Sequence, residues 1–277
     1  MLKTRIIPVV LVKNGRVVQS KGFKRHQVLG NATSIVWRLS NWFSDELIYL
    51  DISREEGYSL NREDLNYKNH DNILDIIEEV SRKCFMPLTI GGRIKTLEDV
   101  YLRLKKGADK VAINSQAFLK PGFIKSCSQE LGSQCIIASI DYKRVEDGKN
   151  EVFIDCGRKG IEVEPVEWAR AMEAEGAGEI LLNSIDRDGR AKGYDLEMIE
   201  QVSSAVSIPV IAQGGVGTWE HFEQGIEHTR AKAFAAANIF QYTENSVYNA
   251  NTYLYDKGCP VRIPLLKTMV DDKGVIS

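Results

Sequence analysis

The chain has 277 residues, 43% of them hydrophobic and 27% charged, and its formal net charge is −2. This composition excludes a disordered chain, and the near balance of charge excludes a general attraction to nucleic acid or to an anionic membrane. The five cysteines have no C-x-x-C spacing and the four histidines no metal-ligand spacing, so we expect free thiols, no metal and no other cofactor. A cytoplasmic protein with neither nucleic-acid nor membrane partners is therefore expected.

Eight short, β-rich apolar runs follow one another along the chain: 5–12, 46–52, 87–90, 110–113, 135–140, 179–182, 209–212 and 233–237. Most lack polar alternation, which is typical of parallel strands covered on both faces. Helical patterns fill most gaps; in one, Thr96 and Asp99 form a capping box and Gly107 ends the helix. Eight such units in about 250 residues favour a closed (β/α)₈ barrel over an open doubly wound sheet, whose nucleotide-binding fingerprint is missing.

An internal repeat divides this barrel into two halves. The segment 87–104 recurs 122 positions later as 209–226, and the segment 6–13 recurs 130 positions later as 136–143. We expect a single domain over 1–265, with half-barrels at about 1–125 and 126–265, and a disordered tail over 266–277.

Two polar segments interrupt the regular alternation, 53–72 after the second strand and 143–163 after the fifth. Because both follow strands, they are expected at the C-terminal face, where barrel enzymes build their active sites. Loops of this length usually serve function, so we expect them either to close as lids or to dock another protein.

Carboxylates stand at or just beyond the ends of predicted strands: Asp51, Asp141, Asp186 and Asp188. In a barrel they can act as general acids or bases, or they can cap the following turn or helix. The repeat pairs position 141 with Leu11. A symmetric site with one carboxylate from each half has therefore lost one of them, which leaves Asp141, with Asp188 as a further catalytic candidate.

Small residues also gather at strand ends: Gly91, Gly92, Asn114, Ser115, Gly189, Gly214, Gly215, Ala237 and Asn238. They leave backbone N–H groups free to bind a phosphate, although glycine there also permits tight turns. One set in each half suits a bisphosphorylated or elongated ligand. Arg93, where the other half has Val216, either adds a cation for an anion or occupies the pocket.

Charged residues begin four of the strands: Arg5, Glu46, Lys110 and Glu179. They are expected at the N-terminal face, where they can form a ring of salt bridges. The pattern alone favours a stabilising role, because features of this face usually serve stability.

Several stretches resemble the cyclase subunit of imidazole glycerol phosphate synthase (HisF), a histidine-biosynthesis enzyme: 5–8, 13–18, 45–47, 50–52, 108–111, 132–134, 176–182 and 186–189. The resemblance covers nearly the whole chain. It implies a (β/α)₈ barrel that receives ammonia from a glutaminase docked on its N-terminal face. It also implies that a bisphosphate, nucleotide-like substrate is split and cyclised at the C-terminal face.

The resemblance assigns roles to the residues noted above. The ring of Arg5, Glu46, Lys110 and Glu179 matches the gate through which ammonia enters, and Asp141 matches one of two catalytic aspartates. Phosphate-binding positions of the family are matched by Gly92, Asn114, Ser115, Gly189, Gly215, Ala237 and Asn238.

The departures from the family lie in the catalytic machinery. Leu11 stands at the other catalytic aspartate's position, Gln19 and Ser20 replace a Lys-Gly pair, and Arg93 replaces the third glycine of a Gly-Gly-Gly-Ile run. A general acid or base contributes a factor of about 10² to 10⁴ in rate, and leucine exchanges no proton. Cyclase activity is therefore expected to be badly impaired.

Leu11 in the run 10–15, together with 139–141 and 182–186, looks like the glycosyl-amidation-associated paralogues of this family. This likeness implies a barrel that pairs with a glutaminase and passes ammonia to a separate amidotransferase. That enzyme converts an acetamido sugar to an acetamidino sugar for a surface polysaccharide. Asp51 and Asn183 are further candidates on the active-site face, and a phosphorylated small molecule is the expected ligand.

Three functions follow from these observations. The leading hypothesis is an ammonia-conducting barrel in which Asp141 binds or orients a ligand. The first alternative is the histidine-pathway cyclase itself, with Asp188 or a loop residue replacing the lost aspartate. The second is an inert scaffold that activates the glutaminase through contact alone.

Overall fold

The computed structural model describes residues 3–42, 44–54, 58, 70, 72–241 and 246–264. Within them, eight parallel strands form the barrel: β1 (Arg5–Lys13), β2 (Leu47–Asp51), β3 (Leu88–Gly91), β4 (Lys110–Ile113), β5 (Ile136–Arg144), β6 (Glu179–Ser184), β7 (Val210–Gln213) and β8 (Ala233–Ala236). Each strand pairs with the next, and β8 pairs with β1 at Arg5 and Ala233, so the sheet closes on itself. The predicted (β/α)₈ barrel is confirmed.

Helices surround the sheet: α1 (Ser34–Asn41), α2 (Ile73–Ser81), α3 (Leu97–Lys105), α4 (Ser115–Leu119), α5 (Phe123–Leu131), α6 (Pro165–Ala174), α7 (Leu196–Ala205), α8 (Trp219–His228) and α9 (Val247–Asp256). Short 3₁₀ turns cover Ser133–Cys135 and Ile239–Gln241. The predicted capping box is present, since the Asp99 amide donates to the Thr96 hydroxyl at 3.1 Å and the Asp99 carboxylate accepts from the Thr96 amide at 2.9 Å. The start of α3 is therefore stabilised by contacts between residues three apart in sequence.

Two apolar layers form the core. The outer layer lies between the sheet and the helices. The inner layer fills the barrel and includes Ile7, Ile48, Ile137, Leu181 and Ile211, all fully buried. Because successive strand residues point to opposite faces, continuous apolar runs supply both layers at once.

The structure repeats at the offsets seen in the sequence. Strand β7 and helix α8 begin 122 positions after β3 and α3. Both β1 and β5 continue into antiparallel hairpins at the C-terminal end of the barrel. Hairpin A comprises Arg16–Lys21 and Arg25–Asn31, and hairpin B comprises Asn150–Ile154 and Lys159–Gly160.

Hairpin B corrects the expectation of a loop over 143–163, because β5 continues through Arg144 and pairs with the strand that follows. Most of the other polar segment, 53–72, lies outside the described residues, as does the predicted tail over 266–277. In the part of the chain that is described, no helix is both long enough and apolar enough to cross a bilayer.

Candidate functional site

A closed ring of charges occupies the N-terminal end of the barrel. Arg5 at the start of β1 contacts Glu46 at 2.5 Å and Glu179 at 3.0 Å. Lys110 at the start of β4 contacts the same two carboxylates, at 3.4 and 2.6 Å respectively. Each cation therefore bridges both anions, and the four predicted gate residues meet at one place.

The ring is self-neutralising and partly buried. Burial opposes the charge on Arg5, but the carboxylates of Glu179 and Glu46 outweigh it and raise the pKa of Arg5. Burial likewise opposes ionisation of Glu179, and the neighbouring Arg5 and Lys110 reverse this effect and lower the pKa of Glu179. Removing one member would leave a partner charge partly buried and unpaired.

The barrel interior beyond this ring is apolar. Ile7, Ile48, Ile137 and Leu181 line it together with small alanines of β4 and β8. Thr89 of β3 is also buried, and its hydroxyl has no hydrogen-bond partner among the described residues. The interior between the ring and the opposite end of the barrel thus offers little to hold a charged species.

Asp141 lies near the C-terminal end of this interior, on β5. Its carboxylate accepts hydrogen bonds from Asn183 Nδ2 at 3.0 Å and from Asn114 Nδ2 at 3.3 Å. Burial raises the pKa of Asp141 to about 7, against the lowering effect of the Asn183 hydrogen bond. A carboxyl group with this pKa can hold or release a proton near neutral pH.

Leu11 occupies the equivalent place on β1 and is buried in the inner apolar layer. It stands opposite Val18 of hairpin A and Leu50 of β2 in the sheet register. The mouth therefore presents an apolar wall where the repeat places the partner of Asp141.

Gln213 at the end of β7 belongs to the same layer, and the sequence analysis missed it. The sheet register places Asp141, Asn183 and Gln213 side by side on three consecutive strands. The side-chain oxygens of Asn183 and Gln213 are buried and have no hydrogen-bond partner among the described residues. One sequence feature could have pointed to Gln213: it is an amide side chain that ends an apolar strand directly before Gly214 and Gly215.

Asp188 anchors hairpin A. Its carboxylate accepts hydrogen bonds from the Ser20 hydroxyl at 2.7 Å and from the Phe23 amide at 3.2 Å. The Ser20 carbonyl in turn accepts from Asn238 Nδ2 at 2.7 Å. Burial raises the pKa of Asp188, although the bond from Ser20 opposes this shift. Ser20 thus links hairpin A to Asp188 through its hydroxyl and to Asn238 through its carbonyl.

The predicted phosphate-binding positions form two groups. Gly92, Asn114 and Ser115 follow β3 and β4, whereas Gly189, Gly215, Ala237 and Asn238 follow β6, β7 and β8. At Gly92, Gly189 and Gly215 an added Cβ would lie 2.0–2.2 Å from a neighbouring backbone carbonyl oxygen. These close approaches account for glycine without a phosphate, so phosphate binding stays a prediction.

Asp51 and Arg93 form a cluster beside the first of these groups. The Asp51 carboxylate accepts from the Tyr58 hydroxyl and from the Ser53 amide, both at 2.9 Å. Arg93 lies 3.9 Å from the same carboxylate and over the Tyr58 ring. Of the two roles considered for Arg93, the contacts favour occupation of the pocket, where it balances the buried charge of Asp51.

A family model described as a histidine biosynthesis protein matches residues 5–246. The chain belongs to this family. The match supports a barrel enzyme of the HisA/HisF type, and the strand ends described above meet at one face of the closed barrel. The resemblance to HisF is confirmed at the level of the family, and the closer likeness to the amidation paralogues stays a prediction. The described residues hold no group of three His, Cys, Asp or Glu side chains that could bind a metal.

Asp141→Asn is expected to stabilise the protein more at about pH 8 than at about pH 5. The folded pKa of about 7 exceeds the ordinary value of 3.8, so folded-state stability falls as pH rises between these values and Asp141 ionises. Asparagine stays neutral throughout. Thermal unfolding at both pH values measures the difference, and the exposed carboxylate variant Asp147→Asn serves as a control. An equal gain in Tm at both pH values would contradict this assignment.

Ser20→Ala is expected to loosen hairpin A. A hydrogen bond to a charged group contributes about 1.5–3 kcal/mol, so amides of the segment 16–25 should exchange with solvent about tenfold faster or more. Hydrogen–deuterium exchange measures this. Ser126→Ala removes a serine that donates to Gly122 within an exposed helix turn, and it should leave the hairpin unchanged. Unaltered exchange in Ser20→Ala would refute the anchoring role.

Proposed function

We propose that this barrel conducts ammonia from a glutaminase docked at its N-terminal face to an acceptor at its C-terminal face. In this proposal a separate amidotransferase uses the ammonia to convert an acetamido sugar into an acetamidino sugar. The observation that carries the proposal is the contrast between the two ends of the barrel: the ring of Arg5, Glu46, Lys110 and Glu179 is complete, whereas Leu11 removes one of the two carboxylates from the mouth.

The interior suits the passage of a small neutral molecule. Ammonia needs no counter-ion, so an apolar lining does not trap it, whereas an ammonium ion would pay a large desolvation cost there. Thr89 can accept or donate one hydrogen bond on the way. At the far end, the unpartnered oxygens of Asn183 and Gln213 can accept hydrogen bonds from ammonia beside Asp141.

The mouth is less suited to a cyclisation with two carboxylates. Leu11 exchanges no proton, and its neighbours Val18 and Leu50 supply no substitute. Asp188, the replacement considered from sequence, already accepts bonds from Ser20 and Phe23. Both bonds end on Oδ2, so proton transfer through that oxygen would require hairpin A to release it.

Authentic cyclase activity is the second candidate, and two observations favour it. The family match covers residues 5–246, and Asp141 has a pKa of about 7, close to the ideal for a general acid or base. Turnover with the histidine-pathway substrate therefore decides between the two functions.

Lys110→Met is expected to uncouple glutamine hydrolysis from amidation in the complex of barrel, glutaminase and amidotransferase. The substitution breaks both contacts of Lys110 and leaves Glu46 and Glu179 partly buried with one cation between them. We expect glutamine hydrolysis to continue while product per glutamine falls about tenfold or more, a change of about 1.4 kcal/mol.

Lys106→Met is the matched control for this experiment. Lys106 forms an ion pair with Glu78 on the outer surface, so the variant loses the same kind of side chain and contact far from the barrel interior. Its coupling ratio should equal that of the unmodified protein. If Lys110→Met also keeps the coupling ratio, the inert-scaffold alternative is favoured and the conduction proposal fails.

The unmodified barrel is expected not to convert the histidine-pathway bisphosphate at saturating ammonium, whereas Leu11→Asp should recover part of this activity. The replacement restores a carboxylate at the position that the repeat pairs with Asp141. Steady-state product formation measures both. Val18→Asp places a carboxylate on the neighbouring strand and should not recover activity. Robust turnover by the unmodified protein would establish the cyclase alternative.

A further inference from the structure

A strongly cationic cleft of about 960 Å³ lies between hairpin A and hairpin B at the C-terminal end of the barrel. Among the described residues that line it, nine are lysine or arginine and only two, Glu146 and Asp186, are carboxylates. The whole chain has a net charge of −2, so this excess is a local concentration. Such a field attracts anions and raises their local concentration.

The cations come from both walls. Hairpin A contributes Lys21, Lys24 and Arg25, and the hairpin B side contributes Lys143, Arg144 and Arg158. Of these, Arg158 pairs with Asp155 and Lys143 lies 4.1 Å from the centre of the Phe153 ring. The other four form no ion pair among the described residues. Like charges that line one cleft repel one another, and a bound polyanion would relieve this repulsion.

The cleft differs from the two predicted phosphate groups, because hairpin contacts already engage those groups. The Ser20 carbonyl lies against Gly189 and accepts from Asn238, and the Ser115 hydroxyl accepts from the Asp155 amide at 2.9 Å. The cleft also reaches the end of the barrel that holds Asp141, because Phe153, which lines the cleft, stands opposite Asp141 in the sheet register.

We propose that this cleft binds a sugar linked to a nucleoside diphosphate. Its volume is that of a small-molecule site, so it suits a compact ligand better than a polymer. Arginine binds phosphate through paired N–H donors, and cations on both walls suit two adjacent phosphates better than a single one. The identification of this ligand as the acceptor of ammonia rests on the proposed function, whereas the binding itself does not.

Calorimetric titration of the isolated barrel tests the proposal with three probes: UDP-N-acetylglucosamine, fructose 1,6-bisphosphate and inorganic phosphate. The sugar nucleotide should bind most tightly, and its affinity should fall as salt is added. The double variant Arg25→Gln/Arg144→Gln should weaken it about tenfold or more. Lys125→Gln/Arg170→Gln removes two positive charges from exposed positions on α5 and α6 and should leave the affinity unchanged.

Three outcomes would overturn the proposal: no binding of the sugar nucleotide, equal loss of affinity in both double variants, or tighter binding of the separated bisphosphate. The last would assign anion binding to the two phosphate groups instead. Melting temperatures of the variants confirm that each is folded. The titration contains neither glutaminase nor ammonia, so a negative result would contradict ligand binding and not ammonia conduction. Conversely, an unchanged coupling ratio in Lys110→Met would contradict ammonia conduction and not ligand binding.

Discussion

One set of interactions closes the N-terminal end of the barrel. It is the four-membered charge ring of Arg5, Glu46, Lys110 and Glu179. Its members come from β1, β4, β6 and the residue before β2, so the ring forms only when the sheet closes in the correct register. The two cations and the two carboxylates neutralise one another at a partly buried position. A slip of one strand by a single residue would turn its charged side chain into the apolar layer between sheet and helices, where an unpaired charge is costly.

At the opposite end of the barrel, several side chains are engaged in structural contacts. A leucine stands where a carboxylate would complete the pair with Asp141, Ser20 fastens hairpin A to Asp188, and Arg93 covers Asp51. Each of these features leaves less freedom or less reactivity at the mouth. The reactive group that remains is the Asp141 carboxyl, which has buried amide oxygens on the neighbouring strands. Near it lies a cleft whose lining has a large excess of lysine and arginine. These features suit the binding and handover of small molecules more than proton transfer within a bisphosphate.

Local pattern sufficed for much of this architecture. The strands and the capping box at Thr96 are encoded by residues close in sequence, and the two-fold repeat is visible when the two halves of the sequence are compared. Strand order then places the four charged starts on one face. The repeat also located Leu11 opposite Asp141. These inferences succeed because parallel strands share a direction, so that position along a strand fixes position along the barrel.

Long-range contacts escaped the sequence analysis. Ser20 and Asp188 are 168 residues apart, and nothing near either one signals their hydrogen bond. Gln213 matters only because the register puts it beside Asn183. The cationic cleft draws its charges from two hairpins, and in sequence these lysines and arginines are indistinguishable from a solvated surface. The anchoring of hairpin A and the cleft become visible only when both hairpins are placed over the mouth.

The most direct test of ammonia conduction is an isotope-retention experiment. The assembled complex is given glutamine labelled with ¹⁵N in its side-chain amide, in the presence of a large excess of unlabelled ammonium, and the amidated product is analysed by mass spectrometry. Conduction through the barrel interior predicts that the product keeps the ¹⁵N label, because ammonia never mixes with solvent. A product labelled in proportion to the mixed pool would contradict the account.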